Sequence, residues 1–160
     1  MSWRLVTALV MAVPRRTEQD TVVAVVVELI SKPYIDVTVQ LLARFGVNVQ
    51  RDGWQRFAIQ AGARYQSPGS IYVEADASSA SYFIALGAIA PSDQGITVQG
   101  VGLNSIQGDI RFVEAAQAMG AQVSGSTNGL HIQRGAWPLI AIDLDCNHIP
   151  DAAMTLAVMA

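Results

Sequence analysis

Four short polar stretches hold the side chains in this sequence that could do chemistry. Ser31-Lys32-Pro33-Tyr34 places a hydroxyl, an ammonium and a helix start together, and unpaired N–H groups at a helix start favour an anion. The same residues also suit a plain helix entry, with Ser31 as cap, Lys32 solvated and Pro33 in the first turn. Asp76-Ala77-Ser78-Ser79-Ala80 and Asn104-Ser105 ahead of Gln107-Gly108-Asp109 read as polar helix entries. Asn147-His148-Ile149-Pro150-Asp151 predicts a carboxylate in the first turn of a helix, beside an imidazole and an amide. There it complements the helix dipole and could also exchange a proton. His131, His148 and Cys146 are too few and too scattered for a metal cage, and a single cysteine excludes an internal disulfide.

The elements that must carry these residues follow from periodicity. Tyr34–Gly62 and Gly108–Gly135 repeat one another, each reading as an amphipathic helix closed by a glycine, then a strand, a polar turn and a second strand. Leu41, Leu42 and Phe45 recur at helical spacing in the first copy, and Val113, Ala116 and Met119 in the second. Gly46 and Gly120 stand where a left-handed residue ends a helix, and Asp52-Gly53 and Asn128-Gly129 are hairpin signals. Thr21–Ile30 is nearly continuous and β-branched, which predicts a buried strand. Further strands are expected at Ser70–Glu74, Gly95–Val101 and Leu139–Leu144. Helices are expected from Ser79 to Ala90, behind an Asp76 cap, and from Pro150 onward. The pattern is that of mixed β-α-β-α-β-β units. Ala61–Ser70 is the best linker, with a boundary between about 70 and 75.

Composition narrows the function classes. With 160 residues, 51% of them hydrophobic and 14% charged, the chain can bury a substantial core and is not disordered. A net charge of -3, with basic residues scattered, argues against a nucleic-acid or anionic-membrane surface. No apolar run approaches the roughly 18 to 20 residues that span a bilayer. Met1–Val13 lacks a small-x-small cleavage site, so a cytoplasmic location is expected.

The strings SKPYID (31–36), YQSPG (65–69), DASSASYF (76–83), GLNSIQGDIRF (102–112) and DLDCNHIPDAAMT (143–155) resemble, in order and spacing, the signature blocks of the EPSP synthase (3-phosphoshikimate 1-carboxyvinyltransferase) family. The resemblance implies an α/β fold of the α+β kind, the inside-out α/β barrel of enolpyruvyl transferases, whose two domains are each assembled from three β-α-β-α-β-β units. Residues 1–72 would be the last repeat unit of one domain, and residues 73–160 the first unit of the other plus the start of the next. It implies transfer of an enolpyruvyl group from phosphoenolpyruvate to the 5-hydroxyl of shikimate 3-phosphate, with no metal or organic cofactor.

By the same resemblance Ser31 would contact the 3-phosphate of shikimate 3-phosphate, and Tyr34 would lie along its ring. Asp151 would be the catalytic proton-transfer group facing the ring hydroxyls. Ser2 matches the first residue of a phosphate-binding Ser-Ser-Gln stretch. Trp3 and Arg4 depart from the rest of that stretch, which leaves Arg4 close to substrate, and Val27 stands where the family has glycine. The family's converging Lys and Arg residues fall in segments outside this chain, so the resemblance implies a fragment that is inactive alone. Intact members are monomeric, whereas open sheet edges predispose a fragment to self-associate. Two other readings remain: a non-catalytic stand-alone or complementing domain, and a piece of the related enolpyruvyl transferase acting on UDP-N-acetylglucosamine.

Overall fold

The computed structural model describes residues 3–15, 18–29 and 31–160. The backbone divides into two compact units, Met1–Tyr72 and Val73–Ala160, each with its own hydrophobic core.

The first unit runs α1 (Trp3–Ala12), β1 (Thr21–Ala24), α2 (Lys32–Arg44), β2 (Gln50–Asp52) and β3 (Arg56–Ile59). Its antiparallel sheet has the order β1-β3-β2, so the second hairpin strand is central, with Phe57 opposite Val23 on one side and Arg51 on the other. Alternation sends Phe57 and Ile59 inward. There they meet Val6 and Val10 of α1 and Ile35 and Leu42 of α2 in a sealed core.

The second unit repeats the plan with α3 (Ala77–Ile89), β4 (Ile96–Gln99), α4 (Phe112–Ala118), β5 (Gln122–Gly125) and β6 (Gly129–Gln133), and adds α5 (Ala153–Met159). Its sheet order, β4-β6-β5, is the same arrangement of one lone strand and one hairpin. Helix α3 is buried on most of its faces. A Cβ on its Gly87 would stand 2.8 Å from the Cβ of Ile132, so only glycine lets this helix press onto β6.

The predicted repeat is therefore present as helix, strand, helix, hairpin. Gly46 and Gly120 end the second helix of each copy at φ 79° and 105°. Val113, Ala116 and Met119 are buried as their spacing requires, whereas Leu41 in the other copy is exposed.

Three expected strands are corrected. Thr21–Ile30 is not a continuous buried strand. Pairing ends at Ala24 because its partner β3 begins at Arg56, opposite it, and Val26 beyond that point is 90% exposed. Ile30 lies outside the described residues. Ser70–Glu74 forms no strand: Tyr72 and Val73 are exposed, and just beyond it Ala75 N–H reaches the Gly100 carbonyl at 2.7 Å. Leu139–Leu144 forms none either. Apart from Ile140 N–H donating to the Met119 carbonyl at 2.9 Å it has no ladder partner. The units are thus α-β-α-β-β among the described residues, and the second lacks the leading strand expected at Ser70–Glu74.

Gly120→Ala should destabilise the second unit by about 1–2 kcal/mol, the cost of forcing an L-residue to positive φ. The nearest atom to the new Cβ is the Ala136 carbonyl oxygen at 3.8 Å, an ordinary contact, so backbone conformation alone sets the loss. Urea unfolding of the two proteins measures it.

Candidate functional site

In the first unit the candidate residues gather at the start of α2. Ser31 precedes the helix at φ 59° and ψ 48°, and it is the one non-glycine residue at positive φ among the described residues. A serine held there costs of order 1–3 kcal/mol, and such strain persists only where the surroundings enforce it. Its hydroxyl makes no capping hydrogen bond, so the reading of Ser31 as a plain cap is not what the structure has. Pro33 contributes no N–H, and Tyr34 N–H reaches back to the Ser31 carbonyl at 3.3 Å.

The ring of Tyr34 stacks on Trp3, the first residue of α1, with centroids 4.6 Å apart and planes at 20°. The Arg4 guanidinium lies over the other ring system of this column, 5.6 Å from the Trp3 centroid. The stack sets the first turn of α1 against the first turn of α2. The start of α2, which carries partial positive charge, is thereby brought together with Arg4 and Lys32. Such an arrangement is stabilised by an anion. Trp3 covers one face of Tyr34. Val27 is half-exposed beside Glu28, Lys32 and Trp54 in a cleft of about 510 Å³. Ser2 lies outside the described residues.

In the second unit the start of α3 is closed by its own chain. Asp76 caps it, accepting from Ser78 N–H at 3.1 Å and from the Ser79 hydroxyl at 2.6 Å, and these bonds hold its carboxyl below the ordinary carboxylate value. Ala77 N–H donates to the Gln107 side-chain oxygen at 2.9 Å, while the Gln107 amide donates to the Ala75 carbonyl at 2.7 Å. Ser105 and Gln107 both donate to Glu74. The Ser81 hydroxyl donates to the Ser78 carbonyl and meets Thr155 of α5 at 3.0 Å in a buried contact.

Asp109 sits in the same seam, on a short turn of 3-10 helix (Gly108–Arg111), and is 5% exposed. One of its oxygens accepts from the Ser78 hydroxyl at 2.6 Å. The other is sealed from solvent without a hydrogen-bond partner. Burial pushes its carboxyl up, against the Ser78 bond, and the neighbouring Asp151 charge adds to the rise.

Asp151 is exposed and lies on the turn ahead of α5, whose cap is Ala152, so it precedes the helix rather than occupying its first turn. The turn closes early because Ala152 N–H returns to the Ile149 carbonyl at 3.1 Å, and both Ile149 and Ala152 are buried. His148 lines a separate cleft with Arg111, Glu114, Asp143 and Asp145.

A family model described as EPSP synthase (3-phosphoshikimate 1-carboxyvinyltransferase) matches residues 1–160. The chain belongs to the EPSP synthase family. It is 58% identical over its whole length to a 3-phosphoshikimate 1-carboxyvinyltransferase of Herminiimonas arsenicoxydans and 57% identical to one of Janthinobacterium sp. (strain Marseille). In both cases it spans 36% of the relative. Among solved structures it is similar to the enolpyruvyl transferase NikO from Streptomyces tendae, with a TM-score of 0.65 at 15% identity, covering 96% of this chain and 36% of that one. The fold is accordingly mixed α/β, a part of the enolpyruvyl transferase fold.

Three blocks that carry the EPSP synthase resemblance in sequence converge in the second unit. DASSASYF supplies Asp76, Ser78 and Ser81, GLNSIQGDIRF supplies Ser105, Gln107 and Asp109, and DLDCNHIPDAAMT supplies Asp151 and Thr155. Sequence reasoning placed no weight on Asp109. A lone Asp after glycine in a polar run looks like any helix entry, and nothing local signals that it is buried.

Two outcomes follow for this seam. Asp76→Ala should cost about 1 kcal/mol of stability, the usual value of a lost N-cap, read from urea unfolding at neutral pH. Asp109 binds its proton more tightly folded than unfolded, so its contribution to stability is present below its ordinary value of 3.8 and is lost as pH rises through the raised folded value. Asp109→Asn removes that loss, so the stability of the variant relative to the parent should increase as pH rises from about 4 to neutrality. Unfolding curves at several pH values test the sign.

Proposed function

We propose that this chain carries part of the shikimate 3-phosphate site of a 3-phosphoshikimate 1-carboxyvinyltransferase. The relatives that share its sequence along its full length bear that name, and the chain spans about a third of them. In this reading residues 1–72 are the last repeat unit of one domain, and residues 73–160 are the first unit of the other with the beginning of the next.

The observation that carries the reading is Ser31. Its backbone is strained, its hydroxyl makes no cap hydrogen bond at the start of α2, and the first turn of α1 is stacked alongside. A phosphate monoester there would accept from the Ser31 hydroxyl and from first-turn N–H groups, while Arg4 approaches from the start of α1. Tyr34, backed by Trp3, would lie along the cyclohexene ring of that substrate.

The reaction adds the 5-hydroxyl oxygen of shikimate 3-phosphate to C2 of phosphoenolpyruvate, whose methylene carbon takes up a proton, and the tetrahedral intermediate then expels inorganic phosphate while a methyl proton leaves. Asp151, exposed on its turn, suits the exchange of the hydroxyl proton. The phosphate and carboxylate charges that develop call for more cations than these residues supply, so binding of the first substrate is the function to expect of this chain, and turnover is not.

A second reading, a domain that completes its cleft by associating with another polypeptide, draws support from the apolar surface of the second unit. Ile140, Leu144, Met154 and Val158 are exposed there. An assembly would appear as a concentration-dependent mass in light scattering.

Calorimetric titration with shikimate 3-phosphate tests the proposal. Saturable binding is expected, and Ser31→Ala should weaken it roughly 10- to 100-fold, the value of one hydrogen bond to a charged group. A folded chain that takes up no ligand, or equal affinity in the variant, would contradict it.

A further inference from the structure

The start of α2 is held without the usual means. A helix entry is ordinarily fixed by the side chain of its N-cap residue, yet the Ser31 hydroxyl makes no cap hydrogen bond. Its backbone also stands at φ 59°, a conformation that L-residues leave unless their surroundings enforce it.

Tyr34 is what the turn rests on. Its N–H reaches the Ser31 carbonyl at 3.3 Å, its own carbonyl accepts from the Thr38 hydroxyl at 3.1 Å, and its ring lies on the indole of Trp3, centroids 4.6 Å apart. The first bond is long, and the second stays within α2, so neither ties the turn to another element. The stack does. Trp3, Val6 and Val10 recur at helical spacing along α1. Val6 and Val10 are sealed in one core with Ile35 and Leu42 of α2, and Trp3, partly exposed, packs on the edge of that core. An aromatic stack contributes about as much as a side-chain cap, so it is strong enough to take the place of one.

We propose that Trp3 is a positioning residue for the start of α2: through Tyr34 it holds the turn that keeps Ser31 in the left-handed region, so the serine hydroxyl is not needed as a cap. A phosphate would then meet a hydroxyl that serves no capping bond. That consequence rests on the function proposed above. The holding itself does not, and it is present without any substrate.

The test is NMR on the unliganded chain. Trp3→Leu keeps an apolar side chain on the core but cannot stack, whereas Trp3→Phe can. In Trp3→Leu the Ser31 Cα and Cβ shifts, which report its backbone conformation, should move toward those of an unstructured serine. Exchange of the Tyr34 amide should rise about 2- to 10-fold, the worth of one aromatic pair. The Val47 amide, bonded to the Leu42 carbonyl at the far end of α2, should exchange as in the parent. Trp3→Phe should restore both Ser31 and Tyr34. Tyr34→Leu removes the stack from its other side, should move the Ser31 shifts in the same direction, and carries the test if Trp3→Leu fails to fold. Ser31 shifts unmoved in the leucine variants, faster exchange spread evenly along α2, or Trp3→Phe behaving as Trp3→Leu would overturn the inference. Failure to bind shikimate 3-phosphate would overturn only the function proposed above, because these shifts are read on the free protein.

Discussion

Every α-helix begins with N–H groups that its own turns cannot satisfy, and the way each unit meets that requirement organises the chemistry of this protein. Helix α3 meets it internally. Asp76, Gln107 and the turn that carries Asp109 close over its start, and the resulting seam reaches α5 through Ser81 and Thr155. Helix α2 does not. Ser31 is turned into the left-handed region, its hydroxyl caps nothing, and the first turn of α1 is stacked alongside. One helix start is closed by side chains, and the other has no side-chain cap.

The contrast is sharper because the two units share one plan. Each has a helix, a lone strand, a second helix and a hairpin whose second strand sits at the centre of the sheet. Burying Phe57 and Ile59 in one copy and Leu130 and Ile132 in the other does the same work of closing the core. What differs lies at the ends of the elements, where polar groups gather.

Much of this plan was legible in the sequence because periodicity and turn chemistry are local. The glycines after each repeat helix, the two hairpin turns and the Asp76 cap all rest on a few adjacent residues. The strands that did not form were misread for a physical reason. Thr21–Ile30 has the composition of a buried strand, but a strand needs a partner of equal length, and β3 is too short to supply one. Ser31 and Asp109 were opaque in opposite ways. A backbone dihedral leaves no trace in residue type, and the burial of a lone aspartate depends on a serine 31 positions earlier.

The central claim is that the start of α2 is open to a phosphate while the start of α3 is closed. Amide chemical shifts recorded as shikimate 3-phosphate is added to the chain address it directly. The account predicts saturable shifts at Ser31, Lys32, Tyr34 and Ile35, with Ala77, Ser78 and Ser79 unmoved. Shifts centred on the start of α3, or a well-dispersed spectrum with none at the start of α2, would contradict it.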